Sequence, residues 1–161
     1  MRTLPPHLDY RDPYVPVFVR TDHSDDAAWQ DVIEKLNALP TGWDSDFWNP
    51  ADMPKFLLQT LEWEGASPDD VLSVLAEEAA LSVVFIADRV TMTDQERPLL
   101  AVTTAAPWAE YYPETTEYGR EFRIVPRESH GLHLNLELAT MDFPDWSKSA
   151  AHTPDGVFRR F

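Results

Sequence analysis

Leu81–Ala87, LSVVFIA, narrows most what this chain can become. Every residue in it except Ser82 is apolar. The run is far too short to span a bilayer, which needs about 20 apolar residues. Val83, Val84 and Ile86 are β-branched and favour an extended chain. A strand without polar alternation must be covered on both faces, and helices usually supply that cover. The run predicts a central strand of a layered α/β fold.

Helix signals lie on either side. In TDHSDDAAWQDVIEKLNALP, residues 21–40, Ser24 is a candidate N-cap, and Asp25 and Asp26 sit where the helix dipole favours acids. Trp29, Val32, Ile33, Leu36 and Leu39 recur at helical spacing, with Asp31, Glu34 and Lys35 outside that face, and Pro40 ends it. Ser67-Pro68-Asp69-Asp70 opens a second helix: a cap, Pro at the first position, then acids. Ser129–Met141 reads as a third, and Asp142 with Asp145 caps a short fourth. Val15–Arg20, Pro98–Thr104 and Glu121–Val125 read as further strands, and Lys55–Leu61 as a strand or a short helix. MTDQERP and Thr153–Gly156 read as turns, and 41–54 and 105–120 as irregular connections. The order β-α-β-α-β-β-β-α-α predicts an α/β fold, a mixed sheet of about five strands flanked by helices. Residues 15–161 form a single domain in this reading, behind an irregular arm at 1–14.

The 161 residues suit one domain, with 43% hydrophobic and 12% aromatic content. With no cysteine, disulfides, thiolate metal sites and thiol catalysis are excluded. The opening MRTLPPHLDYRDPY lacks the apolar core of a signal peptide, which predicts a cytoplasmic protein. Net charge is −15, and it is uneven: 14 acids face only Lys35 and Lys55 between Asp22 and Glu78. Such a surface repels nucleic acid and anionic membranes and attracts basic proteins and cations.

RTDHSDDAAW, VVFIADRVTMTDQERPLLAV, FRIVP, NLELATMDFPDW and the final DGVF resemble segments of a family of short, uncharacterised actinobacterial proteins. The resemblance runs from about Val17 to Phe161, and ADRVTMTDQERPLLAV and NLELATMDF are its most specific pieces. It implies a single bacterial cytoplasmic domain of unknown function and carries no activity with it.

Two groups could carry chemistry. Asp22 and Asp88 each follow a predicted strand, in VFVRTD and VVFIAD. If those strands are parallel neighbours, both carboxylates face the crevice where open α/β sheets bind ligands. With Asp25 beside them they could hold a hard divalent cation, the one cofactor such a cluster would take. The pattern is similar to a phosphoacceptor receiver domain, but no lysine follows a predicted strand. The plainer alternative makes Asp22 a helix-entry cap and Asp88 a turn residue paired with Arg89 or Arg97. His130 and His133 share a helical face, and Glu128 or Glu137 could complete a metal site with them. The alternative is a pair of surface or capping histidines. No GxSxG is present, and the five glycines never cluster into a phosphate-cradling loop.

The third signal is compositional. GWDSDFWNP interleaves Trp43, Phe47 and Trp48 with Asp44 and Asp46. Trp63 lies between Glu62 and Glu64, and Trp108, Tyr111 and Tyr112 run beside Glu110 and Glu114. Rings at a surface make binding anchors, and surrounding acids select a basic partner. The expectation is a non-enzymatic binding protein that presents acidic, aromatic loops to a basic protein, as an immunity protein or antitoxin does. The alternatives are a metal-dependent enzyme or sensor using the Asp cluster, and a small-molecule binder roofed by Trp43 and Trp48. Rings packed inward as a lid would favour neither a partner nor a cation.

Overall fold

The computed structural model describes residues 2–5, 12–46, 49–75 and 81–161. Its strands are β1 (Val17–Arg20), β2 (Phe56–Leu58), β3 (Val83–Ala87), β4 (Leu99–Thr103), β5 (Glu121–Ile124) and β6 (Val157–Phe158). The helices are α1 (Asp26–Leu36), α2 (Pro68–Leu75), α3 (Arg89–Thr93), α4 (Tyr112–Thr115), α5 (Ser129–Glu137) and α6 (Phe143–Ala151). The strands form one sheet in the order β2-β1-β3-β4-β5-β6. β4 alone runs against the rest. The expected mixed α/β architecture is therefore present, with six strands.

The apolar run behaves as its composition requires. All five residues of β3 are buried. They alternate between two cores because successive side chains in a strand point to opposite faces. Val83, Phe85 and Ala87 join Trp29, Val32 and Leu36 of α1, Leu132 of α5 and Trp146 of α6. Val84 and Ile86 join Val71 and Leu75 of α2, together with Trp63. Pairing of Phe18 with Phe85 across β1 and β3 brings their rings to 5.1 Å, nearly parallel. Burying side chains of this size stabilises by roughly 1.5–3 kcal/mol each.

The helix starts follow local hydrogen bonding, with one shift. Asp25, not Ser24, caps α1 by accepting from the Ala28 amide. Ser24 instead donates its hydroxyl and amide to Asp22. Ser67 and Asp70 cap α2 reciprocally, and the Asp142 amide donates to Asp145 at the start of α6. Helix α3, capped by Asp88, runs into the turn expected at MTDQERP, and the 105–120 connection contains α4. Residues 2–5 carry no regular structure but are tied down: the Thr3 amide donates to Glu62, and Leu4 packs on the second core.

Candidate functional site

The carboxyl ends of β1 and β3 are adjacent and parallel, as the cation-site expectation requires. Their carboxylates, however, serve other partners. Asp88 accepts two bonds from the Arg123 guanidinium, both 2.8 Å long, and also caps α3. Burial works to raise the Asp88 carboxyl, but the Arg123 bonds and charge outweigh it and hold it below its usual range. Arg97, one of the partners expected for Asp88, bonds Asp31 instead. The Ser24 hydroxyl, more than the Arg89 and Arg20 charges, holds the Asp22 carboxyl low. Asp25 is occupied with capping. Among the described residues no three His, Asp or Glu side chains are grouped to hold a metal ion. None of Lys35, Lys55 and Lys148 follows a strand, so the receiver-like arrangement stays incomplete.

His130 and His133 are interior residues of α5, 1% and 0% exposed, and not the surface or capping histidines weighed above. His130 lies against Phe18 at 6.0 Å, and neither of its ring nitrogens has a hydrogen-bond partner among the described residues. His133 engages the Pro13 carbonyl through Nε2 at 2.8 Å. Burial pushes both imidazoles down to about 4, with the nearby Lys55 charge adding to the effect at His130. They are therefore neutral at physiological pH. Glu128 and Glu137 do not join them: Glu128 accepts from the Thr41 amide and Glu137 from the Ser82 amide.

The acidic aromatic loops divide. Trp63 is 1% exposed, inside the second core, so it presents no ring to a partner. Trp43 is half-buried, and a Cβ on Gly131 would meet its Cζ2 at 3.6 Å, so the indole covers α5. Asp44 and Asp46 beside it are exposed, with the Asp46 amide bonded back to Asp44. Phe47 and Trp48 lie outside the described residues. Trp108, in contrast, is 87% exposed and Tyr111 59%, while Tyr112 is half-buried at the start of α4.

Tyr111 also lines a cavity of about 420 Å³ where β4 ends. Leu81, Leu136, Phe143 and Pro144 give it apolar walls, and Ser82, Thr103 and Thr104 contribute hydroxyls. Among the described residues its charged lining is Glu114 and Asp142, with no lysine or arginine. Two hydroxyls are partly committed: Thr104 donates to the Leu81 carbonyl, and Thr103 accepts from the Ala105 amide. Sequence reasoning found the ring and Glu114 but missed Asp142, Thr103 and Ser82 as neighbours. They come from separate segments, and only strand pairing brings them together. Chemically, the cavity can take an alkyl chain with a cationic end, since carboxylates and an aromatic face both favour a cation.

Among the described residues, no helix is long and apolar enough to cross a membrane. None of the curated proteins matches the chain. A family model described as Domain of unknown function (DUF6924) matches residues 15–161. That match spans nearly all of the chain, which therefore belongs to the DUF6924 family.

Proposed function

We propose that this chain is a non-enzymatic binding protein of the bacterial cytoplasm, and that the loop from Thr104 to Arg120 contacts a basic protein partner. The observation that carries this reading is Trp108, 87% exposed, beside Tyr111 and a cavity whose charged lining is wholly acidic. Leaving an indole in water forgoes the burial that Trp ordinarily obtains. Trp and Tyr are also the residues most enriched at binding hot spots. The net charge of −15 would speed encounter with a cationic protein and disfavour acidic competitors. An immunity protein or antitoxin works in this way, and the resemblance of several segments to actinobacterial proteins is in keeping with such a bacterial setting.

Capture from the native lysate at low and at high salt tests the reading, with wild type and Trp108→Ala as parallel baits. A basic protein retained at low salt, released at high salt and lost on Trp108→Ala is expected, because salt screens exposed charges. Capture that ignores both salt and the substitution would refute it.

A further inference from the structure

At the opposite end of β4 the surface chemistry reverses. A cavity of about 480 Å³ is lined by Lys35, Arg127, Arg159 and Arg160, with Glu96 as its acid. Val125 and Pro126 supply an apolar wall, and Thr41 a hydroxyl. The cavity lies just past the last residues of β5 and β6, outside the carboxyl ends of strands, where open α/β sheets place their ligands. Its size is that of a small-molecule site.

The cations differ in how they are held. Arg159 is fixed from two sides, with two 2.8 Å bonds to Glu96 and bonds of 2.6 and 3.1 Å to Asp155. Asp31 is shared between Lys35, at 3.1 Å, and Arg97, at 2.9 Å, so one carboxylate answers two cations. Arg127 donates through Nη2 to the Leu39 carbonyl at 2.7 Å and sits 3.9 Å from Glu128. That carboxylate is already taken by the Thr41 amide. Arg160 is exposed and has no ion pair among the described residues. In a chain with more than twice as many acids as bases, a concavity lined by four bases and one acid, with Arg160 lacking an ion pair among the described residues, stands out from the background.

We infer that this cavity binds a small phosphomonoester, with the Arg127 and Arg160 guanidinium groups holding its phosphate. A planar guanidinium offers paired N–H donors that match two phosphate oxygens, which an ammonium cannot do. Arg159, locked by Glu96 and Asp155, offers the phosphate no free donor, which leaves the task to Arg127 and Arg160. The apolar wall at Val125 and Pro126 receives the organic part. This site is independent of the partner surface at Trp108, and neither depends on the other being correct.

Inorganic phosphate is the probe, added to the full chain at constant ionic strength, with chloride and citrate as comparison salts. Melting temperature and phosphorus NMR linewidth are the readouts. Phosphate is expected to raise the melting temperature above both comparison salts, because ligand binding to the folded state stabilises it. Arg160→Ala and Arg127→Lys should each weaken phosphate binding by about tenfold, the second despite its retained charge. Arg160→Ala removes no side-chain bond among the described residues, so its fold is not at risk, and Trp108→Ala should leave phosphate binding unchanged. No phosphate-specific shift, an equal shift with citrate, or binding that survives both arginine substitutions would overturn the inference.

Discussion

Trp63 and Trp108 sit in connectors of nearly the same composition and meet opposite fates. Each is a lone indole with glutamates nearby, in a segment that reads as irregular. Trp63 is 1% exposed and Trp108 87%. The difference lies in what each connector passes over. The turn holding Trp63 crosses the uncovered edge of the second core, and its rings and chain fill space beside Val71, Val84 and Ile86. Leu61, two residues earlier, takes the exposed position at 74%. The acids there are used locally: Glu62 accepts from Thr3 and Thr60, and Glu64 pairs with His23. The Trp108 connector leaves the end of β4, turns through α4 and returns to β5, and Tyr111, not Trp108, lines the cavity it shares with Leu136 and Phe143. The Trp108 indole joins neither core, and the partner contact proposed above rests on that exposure.

The contrast can be broken most sharply by stability. Trp63→Ala should cost about 3–5 kcal/mol, as large-to-small changes in a closed core do, and urea unfolding reads it directly. Acid provides the next largest effect, and it comes from the same buried side of the comparison. His130 and His133 have folded values of about 4 against an ordinary 6.5. A depressed histidine contributes stability above its unfolded value and loses it as pH falls toward the folded one. Each should therefore surrender about 2 kcal/mol between about pH 7 and pH 5, a window above that of the carboxylates. Urea midpoints at the two pH values check the drop, and a flat profile would mean that the imidazoles are already solvated.

Asp88→Ala should cost about 2 kcal/mol, because it removes the α3 cap and leaves Arg123 without its carboxylate. Arg123→Met in the same background should recover part of that loss, which a double-mutant cycle would show. Trp108→Ala should change stability by less than about 0.5 kcal/mol, the usual range for exposed positions. A large destabilisation there would erase the distinction between the two indoles.

The frame was legible because its signals are local. LSVVFIA has no option but a covered strand, and the 3.6-residue recurrence of Trp29, Val32 and Leu36 fixes the buried face of α1. Ser67 and Asp142 mark helix starts by chemistry that acts within one turn. What sequence missed depends on distance along the chain. Ser24 looked like a cap, but Asp22 draws its hydroxyl away and Asp25 takes over. Neighbouring arginines suggested partners for Asp88, whereas β4 and β5 pairing delivers Arg123 from 35 positions away. β6 has only two residues and exists because β5 offers it an edge. Asp22 and Asp88 follow adjacent parallel strands as their spacing suggests, but the Ser24 and Arg123 bonds they accept are not visible in spacing. The Trp108 loop was named for its composition; its exposure and its cavity with Asp142 are tertiary facts.

The two cavities at the ends of β4 extend the same lesson. One carries Glu114 and Asp142 and no base; the other carries four bases and Glu96. Net charge alone would have given the whole surface to cationic partners. Local bookkeeping of ion pairs separates an acidic, ring-bearing end from a basic one.

The central claim is that Trp108 marks the contact face for a cationic protein. A photoactivatable phenylalanine analogue placed at position 108, and in a parallel strain at the exposed Leu138, tests it in cells. A discrete crosslink to a basic protein at 108, absent at 138 and suppressed when Glu114 and Asp142 are changed to Asn or Gln, is the predicted result. Crosslinks equal at both positions, or a partner that is acidic, would contradict it.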